Sequence, residues 1–412
     1  MMRLIFVHGW SVTNTSTYGD MPQGLVDIAA SNGLELDIQH IQLGKYISFK
    51  DEVTLDDIAQ AMDRALRELN PESDDIAAFS AITHSTGGPV VRHWVNRFYG
   101  SRGLKNMPLQ HLVMLAPANH GSALAAIGAK RLGRIKAWFN GVEPGKRVLR
   151  WLQLGSTDQW QLNRDMLAYK SAANDYFPFV LTGQGIDTAF YDFLNSYLVE
   201  SGSDGVVRVA AANVNCRFLT LVQDNGTEVR RDRERSYTAL NYEAKRVVAQ
   251  PQPTPLGVFH GFSHSGGKMG IMAIKSSRAG FDTICNTIIK CLQVNDIASY
   301  RQRAAELADH TEKEQLLEPR GKDDNISRYS MLVVRVVDED NNVVEYDDFD
   351  LFLLAGKKYA RNALPKGFFV DSQVNKNSNT LVYYLDADLL GSIKDHLWGI
   401  QVVVRPEKGF AR

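Results

Sequence analysis

The feature that most constrains this chain is an apolar segment that changes from strand to helix at a single serine. Residues 79–84 predict a buried strand, Ser85 follows them, and an amphipathic helix opens directly afterwards. Such a turn strains the serine backbone and requires small residues two positions before and after it. Gly87 meets that requirement, whereas Thr83 stands where the common pattern has glycine. Ser85 is therefore the candidate nucleophile, although these letters also suit an ordinary helix cap.

Two further segments predict strands that are buried on both faces of a parallel sheet. Residues 3–7 form an apolar run that ends in His8-Gly9, and residues 112–116 form another that leads into Pro117 and then a Gly-Ser pair. Together with the serine turn, they resemble the bacterial lipase and esterase branch of the α/β-hydrolase superfamily. In that branch a strand ending Pro-x-x-x-Gly-Ser follows the nucleophile helix. The resemblance covers about residues 3 to 280 and rests on four short motifs.

The resemblance implies a fold and an oxyanion hole. It predicts an α/β-hydrolase parallel sheet in which the N-terminal strand lies beside the strand that precedes Ser85. The backbone N–H groups of Trp10, after His-Gly, and of Thr86, after the serine, would face the developing oxyanion. Their side chains carry no evidence for this role. A plain core strand with a glycine turn is the alternative interpretation of residues 3–10.

The triad acid is expected after a later strand, because the chain order in this fold is Ser, acid, His. Residues 177–181 predict that strand, and residues 202–207 read Gly-Ser-Asp-Gly-Val-Val, which resembles the Asp-Gly-(Val/Leu)-Val segment that carries the acid in many lipases. Asp204 is the predicted acid, which would accept a hydrogen bond from the histidine and fix its tautomer. Asp187 and Asp192 are fallback candidates, and an Asp-Gly pair is also common in plain turns.

Two histidines in residues 258–267 are candidates for the base. His264 fits better, because the family histidine lies in a loop after the last strand and before a helix, here predicted over residues 268–275. His260 is the alternative and is expected to end the strand. His120 also lies near a strand end, but the family places its base near the end of the domain, so His120 is expected to line the pocket or support a loop.

Composition agrees with a folded enzyme and argues against several other classes of protein. The 412 residues are 44% hydrophobic and 23% charged, enough to bury a large core. A net charge of −1 and the lack of zinc-finger, recognition-helix or phosphate-loop patterns argue against a nucleic-acid partner. The three cysteines are Cys216, Cys285 and Cys291, whose number and spacing argue for a reducing compartment and against disulfides or metal ligation.

The sequence contains no run of about 18 to 20 apolar residues, the length needed to span a bilayer. Residues 4–7 are too short for the apolar core of a signal peptide, and they are needed in the sheet. We therefore expect a cytoplasmic protein, with secretion by a route that does not read an N-terminal signal as the alternative.

Two domains are predicted along the chain. Residues 1–320 should form the hydrolase domain, with alternating strands and helices that include a helix over residues 55–69. Residues 125–175 interrupt the alternation and are expected to form a helical lid. The lid is rich in bases interleaved with aromatic side chains, a pattern that suits contact with anionic lipid but also a solvated lid whose aromatics pack inward. These residues are Lys130, Arg131, Arg134, Lys136, Lys146, Arg147 and Arg150, with Trp138, Phe139 and Trp151, and Glu143 as the opposing acid.

A polar linker at residues 318–325 leads to a second domain at residues 326–412, predicted as a small β-sandwich. Its β-rich runs fall at residues 330–337, 350–354, 380–385 and 399–404. The acidic stretch 338–342 could form a calcium loop, but a hairpin turn is favoured because no second acidic loop matches it. The sandwich could bind a protein partner, a lipid surface or another copy of the chain.

The sequence thus predicts a serine hydrolase of carboxylic esters, most similar to lipases and phospholipases. Ser85 would be the nucleophile, His264 the base and Asp204 the acid, with no metal or organic cofactor. A thioesterase or acyltransferase that passes the acyl group to another acceptor is the alternative within this class. A catalytically silent scaffold, whose C-terminal domain serves as an interaction module, is the alternative of a different class.

Overall fold

The structure is a computed structural model. It describes residues 1–8, 15–48, 50–73, 75–127, 145–186, 200–232, 235–317, 326–355, 363–393 and 397–405.

A six-stranded parallel sheet forms the centre of the molecule, with strand order β2-β1-β3-β4-β5-β8. Its strands, numbered along the chain, are β1 (Met2–His8), β2 (Leu36–Gln42), β3 (Phe79–His84), β4 (Leu109–Leu115), β5 (Phe177–Gln184) and β8 (Leu256–His260). Strand β1 lies beside β3, with Val7 paired to Thr83. This is the parallel α/β sheet and the strand neighbourhood that the sequence predicted.

The sheet is buried on both faces, as the continuous apolar runs required. In β1, Ile5 and Val7 join one hydrophobic cluster, whereas Leu4 and Phe6 join the cluster on the opposite face. Successive side chains of a strand point to opposite faces, so a run without polar residues can fill two cores at once.

Helices cover both faces and connect the strands. They are α1 (Met21–Ser31), α2 (Leu55–Glu68), α3 (Gly87–Phe98), α4 (Gly100–Gly103), α5 (Ala123–Ile127), α6 (Lys146–Leu152), α7 (Thr157–Met166), α8 (Val209–Ala212), α9 (Gly280–Leu292), α10 (Ile297–Gln315) and α11 (Ala387–Ile393). Helix α2 begins with a capping box in which the Thr54 hydroxyl accepts from the Asp57 amide and the Asp57 carboxylate accepts from the Thr54 amide.

The insertion between β4 and β5 is helical where the structure describes it, in α5, α6 and α7. Residues 128–144 lie outside the described residues, and they include most of the predicted basic and aromatic side chains of the lid. Trp151 in α6 is only 2% exposed and packs into the core. Of the two interpretations of the lid aromatics, inward packing therefore applies to Trp151.

A long antiparallel hairpin between α8 and β8 was not predicted. It consists of β6 (Arg217–Asp232) and β7 (Arg235–Ala249). Asn225-Gly226 is a common turn signal, but here it lies in an irregular stretch of the ladder, where the register shifts between Gln223 and Thr227.

The segment 268–275 is not the helix that the sequence predicted. Residues 266–275 form hydrogen-bonded turns, in which the Gly270 amide donates to the Gly266 carbonyl and the Ile274 amide to the Gly270 carbonyl. A Cβ at Gly270 would lie 2.3 Å from the Ser265 carbonyl carbon, so the backbone packs too closely there for a side chain. The next helix is α9.

The C-terminal residues form two small antiparallel sheets, with strand orders β11-β12-β9 and β10-β13. Their strands are β9 (Tyr329–Val334), β10 (Phe349–Ala355), β11 (Phe369–Asn375), β12 (Thr380–Asp386) and β13 (Leu397–Val404). The core between them is small, with Leu353, Phe368 and Leu385 as its buried members. In contrast, Val382 and Tyr384 of β12 belong to the large hydrophobic cluster of the hydrolase domain. Strand β12 is thus packed into the large hydrophobic cluster beside the central sheet, so the C-terminal residues are not merely tethered to it.

Candidate active site

Ser85 occupies a sharp turn between β3 and α3. Its φ angle is +52°, in the left-handed region that a side chain other than glycine rarely adopts. The turn is held by the Ser85 amide, which donates to the Leu115 carbonyl at 3.0 Å, and by the Ser85 carbonyl, which accepts from the Ala118 amide at 3.2 Å. The strained serine that the motif predicts is therefore present, at the carboxyl end of the sheet.

Close packing explains the two glycines after the serine. A Cβ at Gly87 would lie 3.2 Å from the Thr83 Cβ, and one at Gly88 would lie 2.8 Å from the Pro117 Cβ. Thr83 fits in place of the usual glycine because Gly87 leaves room for it. The Thr83 hydroxyl is buried and has no hydrogen-bond partner in the described part of the chain, so its role there is to fill space.

Three side chains from distant segments meet at this turn. The Ser85 Oγ lies 3.0 Å from the His264 Nε2, and the His264 Nδ1 lies 2.8 Å from the Asp204 Oδ2. All three residues are buried, with exposed fractions of 6% for Ser85, 3% for His264 and 0% for Asp204. The three residues singled out from the sequence thus form one continuous chain of hydrogen bonds.

Asp204 is held from several directions. Its Oδ1 accepts hydrogen bonds from the amides of Val206 at 2.9 Å and Val207 at 2.8 Å, which leaves Oδ2 for His264. The Asp204 carbonyl also accepts from the His264 amide at 2.9 Å. The backbone amides of the Asp-Gly-Val-Val motif thus hold the Asp204 carboxylate in place.

The alternative residues lie elsewhere or outside the described part. His260 ends β8, as expected for the alternative base, and its amide donates to the Glu314 carboxylate at 2.8 Å. Asp187 and Asp192 lie outside the described residues. His120 packs against the Asn163 side chain, and burial, followed by the charge of Arg92, lowers its pKa to about 3. His120 therefore supports a loop, as the sequence suggested.

Of the two expected oxyanion donors, the structure describes one. Thr86 is the N-cap residue of α3 and is 6% exposed. The first amides of a helix have no acceptor within the helix. Trp10 lies outside the described residues.

His84 is a neighbour of the site that the sequence analysis did not single out. Its ring lies 4.6 Å from the ring of His264, and its Nε2 donates to the His264 carbonyl at 2.8 Å. Burial, and then the neighbouring His264, lower the pKa of His84 well below its ordinary value. A neutral His84 thus supports the histidine loop without adding charge. The only feature of the sequence that could have identified His84 as a neighbour of the site is its position directly before Ser85.

A buried arginine links the segments that surround the Ser85 turn. Arg92, on the second turn of α3, donates to Asn119 Oδ1 at 3.0 Å and to Asn163 Oδ1 at 2.8 Å. Asn163 donates in turn to the Asn119 carbonyl at 2.9 Å. Burial lowers the pKa of Arg92 to about 10, which leaves it charged at neutral pH. The network ties α3, the loop after β4 and α7 together.

His8 ends β1 just before the expected oxyanion loop and forms a second histidine pair. Its Nε2 lies 2.9 Å from the Nδ1 of His40 on β2, so one ring donates to the other. Burial, and then His40, lower the pKa of His8 to about 4. Burial lowers the pKa of His40 as well, so protonation is disfavoured at both rings.

Within the described ranges, no group of three or more His, Cys, Asp or Glu residues could hold a metal ion. In the same ranges, no helix combines the length and apolar character that crossing a membrane requires.

Comparisons with known proteins place the chain in a family. No protein-family model and no curated protein matches it. Among the solved structures that match it, two cover 99% of this chain at 42% and 43% identity. Phospholipase PlaB from Legionella pneumophila is 43% identical with a TM-score of 0.85, and the match covers 99% of this chain and 87% of that one. This chain belongs to the PlaB phospholipase family.

The second structure is the same phospholipase in complex with thio-NAD, 42% identical with a TM-score of 0.84, covering 99% of this chain and 86% of that one. Membership of this family makes the chain a lipase- or phospholipase-like α/β-hydrolase, a carboxylic ester hydrolase. The resemblance stated from short motifs is confirmed for the superfamily and its phospholipase-like branch.

Proposed function

We propose that this protein is a phospholipase that cleaves acyl esters through Ser85, His264 and Asp204. The observation that carries the proposal is the hydrogen-bond chain from the Ser85 Oγ through the imidazole to the Asp204 carboxylate, with contacts of 3.0 and 2.8 Å. A serine hydroxyl becomes a competent nucleophile when a base removes its proton, and the base acts best when a third group fixes its tautomer. The name of the solved relatives supports a phospholipid as the substrate.

The proposed reaction has two halves. The Ser85 Oγ attacks the ester carbonyl while its proton moves to the Nε2 of His264, and the negative charge that develops on the carbonyl oxygen faces the Thr86 amide, with Trp10 expected as the second donor. The ester C–O bond then breaks, and the leaving alkoxide takes the proton from His264. Water attacks the acyl-enzyme by the same route and releases the fatty acid. Throughout, Asp204 accepts the Nδ1 hydrogen bond and stabilises the imidazolium.

Two measurements test the proposal. A fluorophosphonate probe should label the wild-type protein at Ser85, and Ser85→Ala should abolish both labelling and fatty-acid release from phospholipid vesicles. Ser101→Ala is the matched control, because Ser101 is an exposed serine just beyond the helix that follows Ser85. A folded wild-type protein that the probe does not label would overturn the proposal in favour of a silent scaffold. Release rates that rise with added alcohol or thiol, and products esterified to it, would favour the acyltransferase alternative.

We also propose that the basic residues of the lid contact anionic lipid. Lys146 in α6 is 77% exposed at its side chain, and its ammonium group lies 2.8 Å from the Asp51 carboxylate. A basic side chain near an anionic surface contributes about 1 kcal/mol to binding. Cosedimentation with vesicles rich in phosphatidylglycerol should weaken in a Lys146→Gln, Arg150→Gln variant, and binding to phosphatidylcholine vesicles should not change. Equal loss on both vesicles would contradict this contact. A protein partner of the C-terminal domain stays a prediction.

A further inference from the structure

The loop that carries Asp204 is closed by internal hydrogen bonds. Within it, the Asp204 amide donates to the Val207 carbonyl at 3.2 Å, and Ser203 and Arg208 pair as an isolated β-bridge. The Val209 amide donates to the Gly202 carbonyl at 3.0 Å and closes the loop. Residues 200–208, called the acid loop from here on, therefore move as one unit, and whatever displaces one end displaces the carboxylate.

The hydrolase domain holds one side of the acid loop. The His264 amide donates to the Asp204 carbonyl at 2.9 Å, and the Ser122 hydroxyl donates to the Val206 carbonyl. These contacts fix the distance between acid and base. They do not reach the opposite end of the loop at Arg208.

The C-terminal domain holds the other side, through Arg208. The guanidinium donates to the Asp371 carboxylate of β11 at 2.9 Å and lies 4.1 Å from the ring centroid of Tyr384 in β12. The Arg208 side chain is only 6% exposed, and its Nε also donates to the Ser201 carbonyl at 3.2 Å. A buried charge must be paired. Arg208 lies between two carboxylates, that of Asp371 from the C-terminal domain at 2.9 Å and that of Glu200 from its own loop at 3.8 Å, and the shorter contact is the one that crosses between domains.

Neighbouring contacts strengthen the same attachment. Gln373 of β11 donates both to Glu200, at 3.0 Å, and to Asp371, at 2.9 Å. Burial raises the pKa of Glu200, and the charge of Arg208 opposes that rise. Burial acts in the same upward direction on Asp371, but hydrogen bonds from Gln373 and Arg208 bring its pKa below the ordinary value. The contacts with Gln373 and Arg208 thus favour the carboxylate form of Asp371.

The start of the acid loop leaves no space between the two domains. The Ser201 hydroxyl lies 2.7 Å from the Tyr329 hydroxyl of β9. Gly202 has a φ angle of +69°, and a Cβ there would lie 2.7 Å from the Ser327 carbonyl oxygen and 2.9 Å from the Tyr329 ring. The loop is thus packed against the C-terminal domain at both of its ends, through residues 200–202 and Arg208, and its middle faces His264.

We infer that Arg208 is a positioning residue for Asp204, and that the C-terminal domain completes the active site by gripping the acid loop through Arg208 and Asp371. This inference rests on the proposed function, because it takes Asp204 to be the acid of the catalytic triad. A displacement of the C-terminal domain would then slow acylation without any change at Ser85. The domain is a part of the catalytic apparatus and a route by which a partner could regulate it.

The test compares three variants with a control. Asp371→Ala and Arg208→Gln should each lower kcat about 10- to 100-fold, because small displacements of a catalytic group cost that much. KM should change by less than about twofold, since neither residue is assigned to the substrate. Asp371→Asn keeps an acceptor for the guanidinium and should recover part of the activity. Asp350→Asn is the control, because it breaks the ion pair with Arg405 in the same domain, away from the acid loop.

A spectroscopic readout separates positioning from general destabilisation. The proton between the His264 Nδ1 and the Asp204 Oδ2 should give a strongly deshielded NMR signal in the wild type. That signal should weaken in Asp371→Ala at a temperature where thermal melting shows the variant to be folded, and it should stay unchanged in Asp350→Asn. Should Arg208→Gln fail to fold, Asp371→Ala and Asp371→Asn carry the test, because the Asp371 side chain is 32% exposed.

The outcomes distinguish the two proposals. A wild-type protein without Ser85 labelling or esterase activity would overturn the proposed function itself. A wild type that is active and labelled, with folded Asp371 and Arg208 variants that keep both its kcat and its deshielded proton, would overturn only the positioning role. Loss of kcat and of the proton signal together supports it.

Discussion

Replacing Asp204 by Asn tests the proposed triad most sharply, because the structure fixes how the new amide must lie. The Asp204 Oδ1 accepts from two amides, those of Val206 and Val207. An NH₂ group cannot accept hydrogen bonds, so the amide oxygen has to take the Oδ1 place. The NH₂ group then occupies the Oδ2 place and points at the His264 Nδ1, which lies 2.8 Å from it in the wild type.

The consequence is a change of tautomer rather than a loss of structure. A donor that faces Nδ1 forces Nδ1 to accept, and the ring proton moves to Nε2. The Ser85 Oγ, 3.0 Å from Nε2, then faces an N–H group instead of a lone pair. A serine hydrolase with the wrong tautomer loses about 10⁴-fold in kcat, which corresponds to about 5 kcal/mol of barrier.

The assay is steady-state hydrolysis of a short-chain p-nitrophenyl ester and of phospholipid vesicles, with circular dichroism to verify folding. For Asp204→Asn we expect the fall in kcat with KM nearly unchanged. The controls are Asp187→Asn and Asp192→Asn, the fallback acids, which should keep kcat within about twofold of the wild type. A folded Asp204→Asn variant that retains a tenth of the wild-type kcat, or a control that loses most of it, would refute the assignment.

Three further predictions concern the surroundings of the site. His84→Leu leaves the His264 carbonyl without its hydrogen bond and should lower the free energy of unfolding by about 1–3 kcal/mol. His84→Gln keeps a donor and should lower it by less. Equal losses of stability in urea titrations of the two variants would contradict the supporting role of His84. Gly183→Ala would place a Cβ 2.0 Å from the backbone carbonyl oxygen of Phe262 and should cost about 1–3 kcal/mol or more together with activity. Gly391→Ala, with open space around its Cβ, is the control and should melt at or above the wild-type temperature. Finally, the folded-state pKa of His8, about 4, lies below its unfolded value of 6.5, so protonation favours the unfolded state. The contribution of His8 to the free energy of unfolding is therefore fully present above pH 6.5, and about 3 kcal/mol of it should be lost as the pH drops towards 4. A free energy of unfolding that stays constant between pH 6.5 and 4 would contradict this prediction.

The sequence alone determined the central sheet and the residues that meet at its edge. The apolar runs at 4–7 and 112–116 and the largely apolar run at 79–84 specify strands buried on both faces, because such runs cannot exist at a surface without exposing apolar area. The turn at Ser85 could also be predicted, since the strain and the close packing at Gly87 are local consequences of the chain's stereochemistry. The strands β9, β10, β12 and β13 were anticipated for the same local reason, whereas β11 was missed because three consecutive polar residues at 371–373 interrupt its apolar pattern.

Only the tertiary structure decided how these pieces support one another. The hairpin of β6 and β7 runs past the turn signal at residues 225–226, because ladder pairing with β7 outweighed the local preference. His84, Arg92 and Arg208 carry no motif of their own, and each has at least one partner that lies 27 to 180 residues away along the chain. A buried charge or ring nitrogen is satisfied by whatever the fold brings within about 3 Å, and that distance is a property of the packed molecule. Local patterns name the groups that can react, and long-range packing sets their positions.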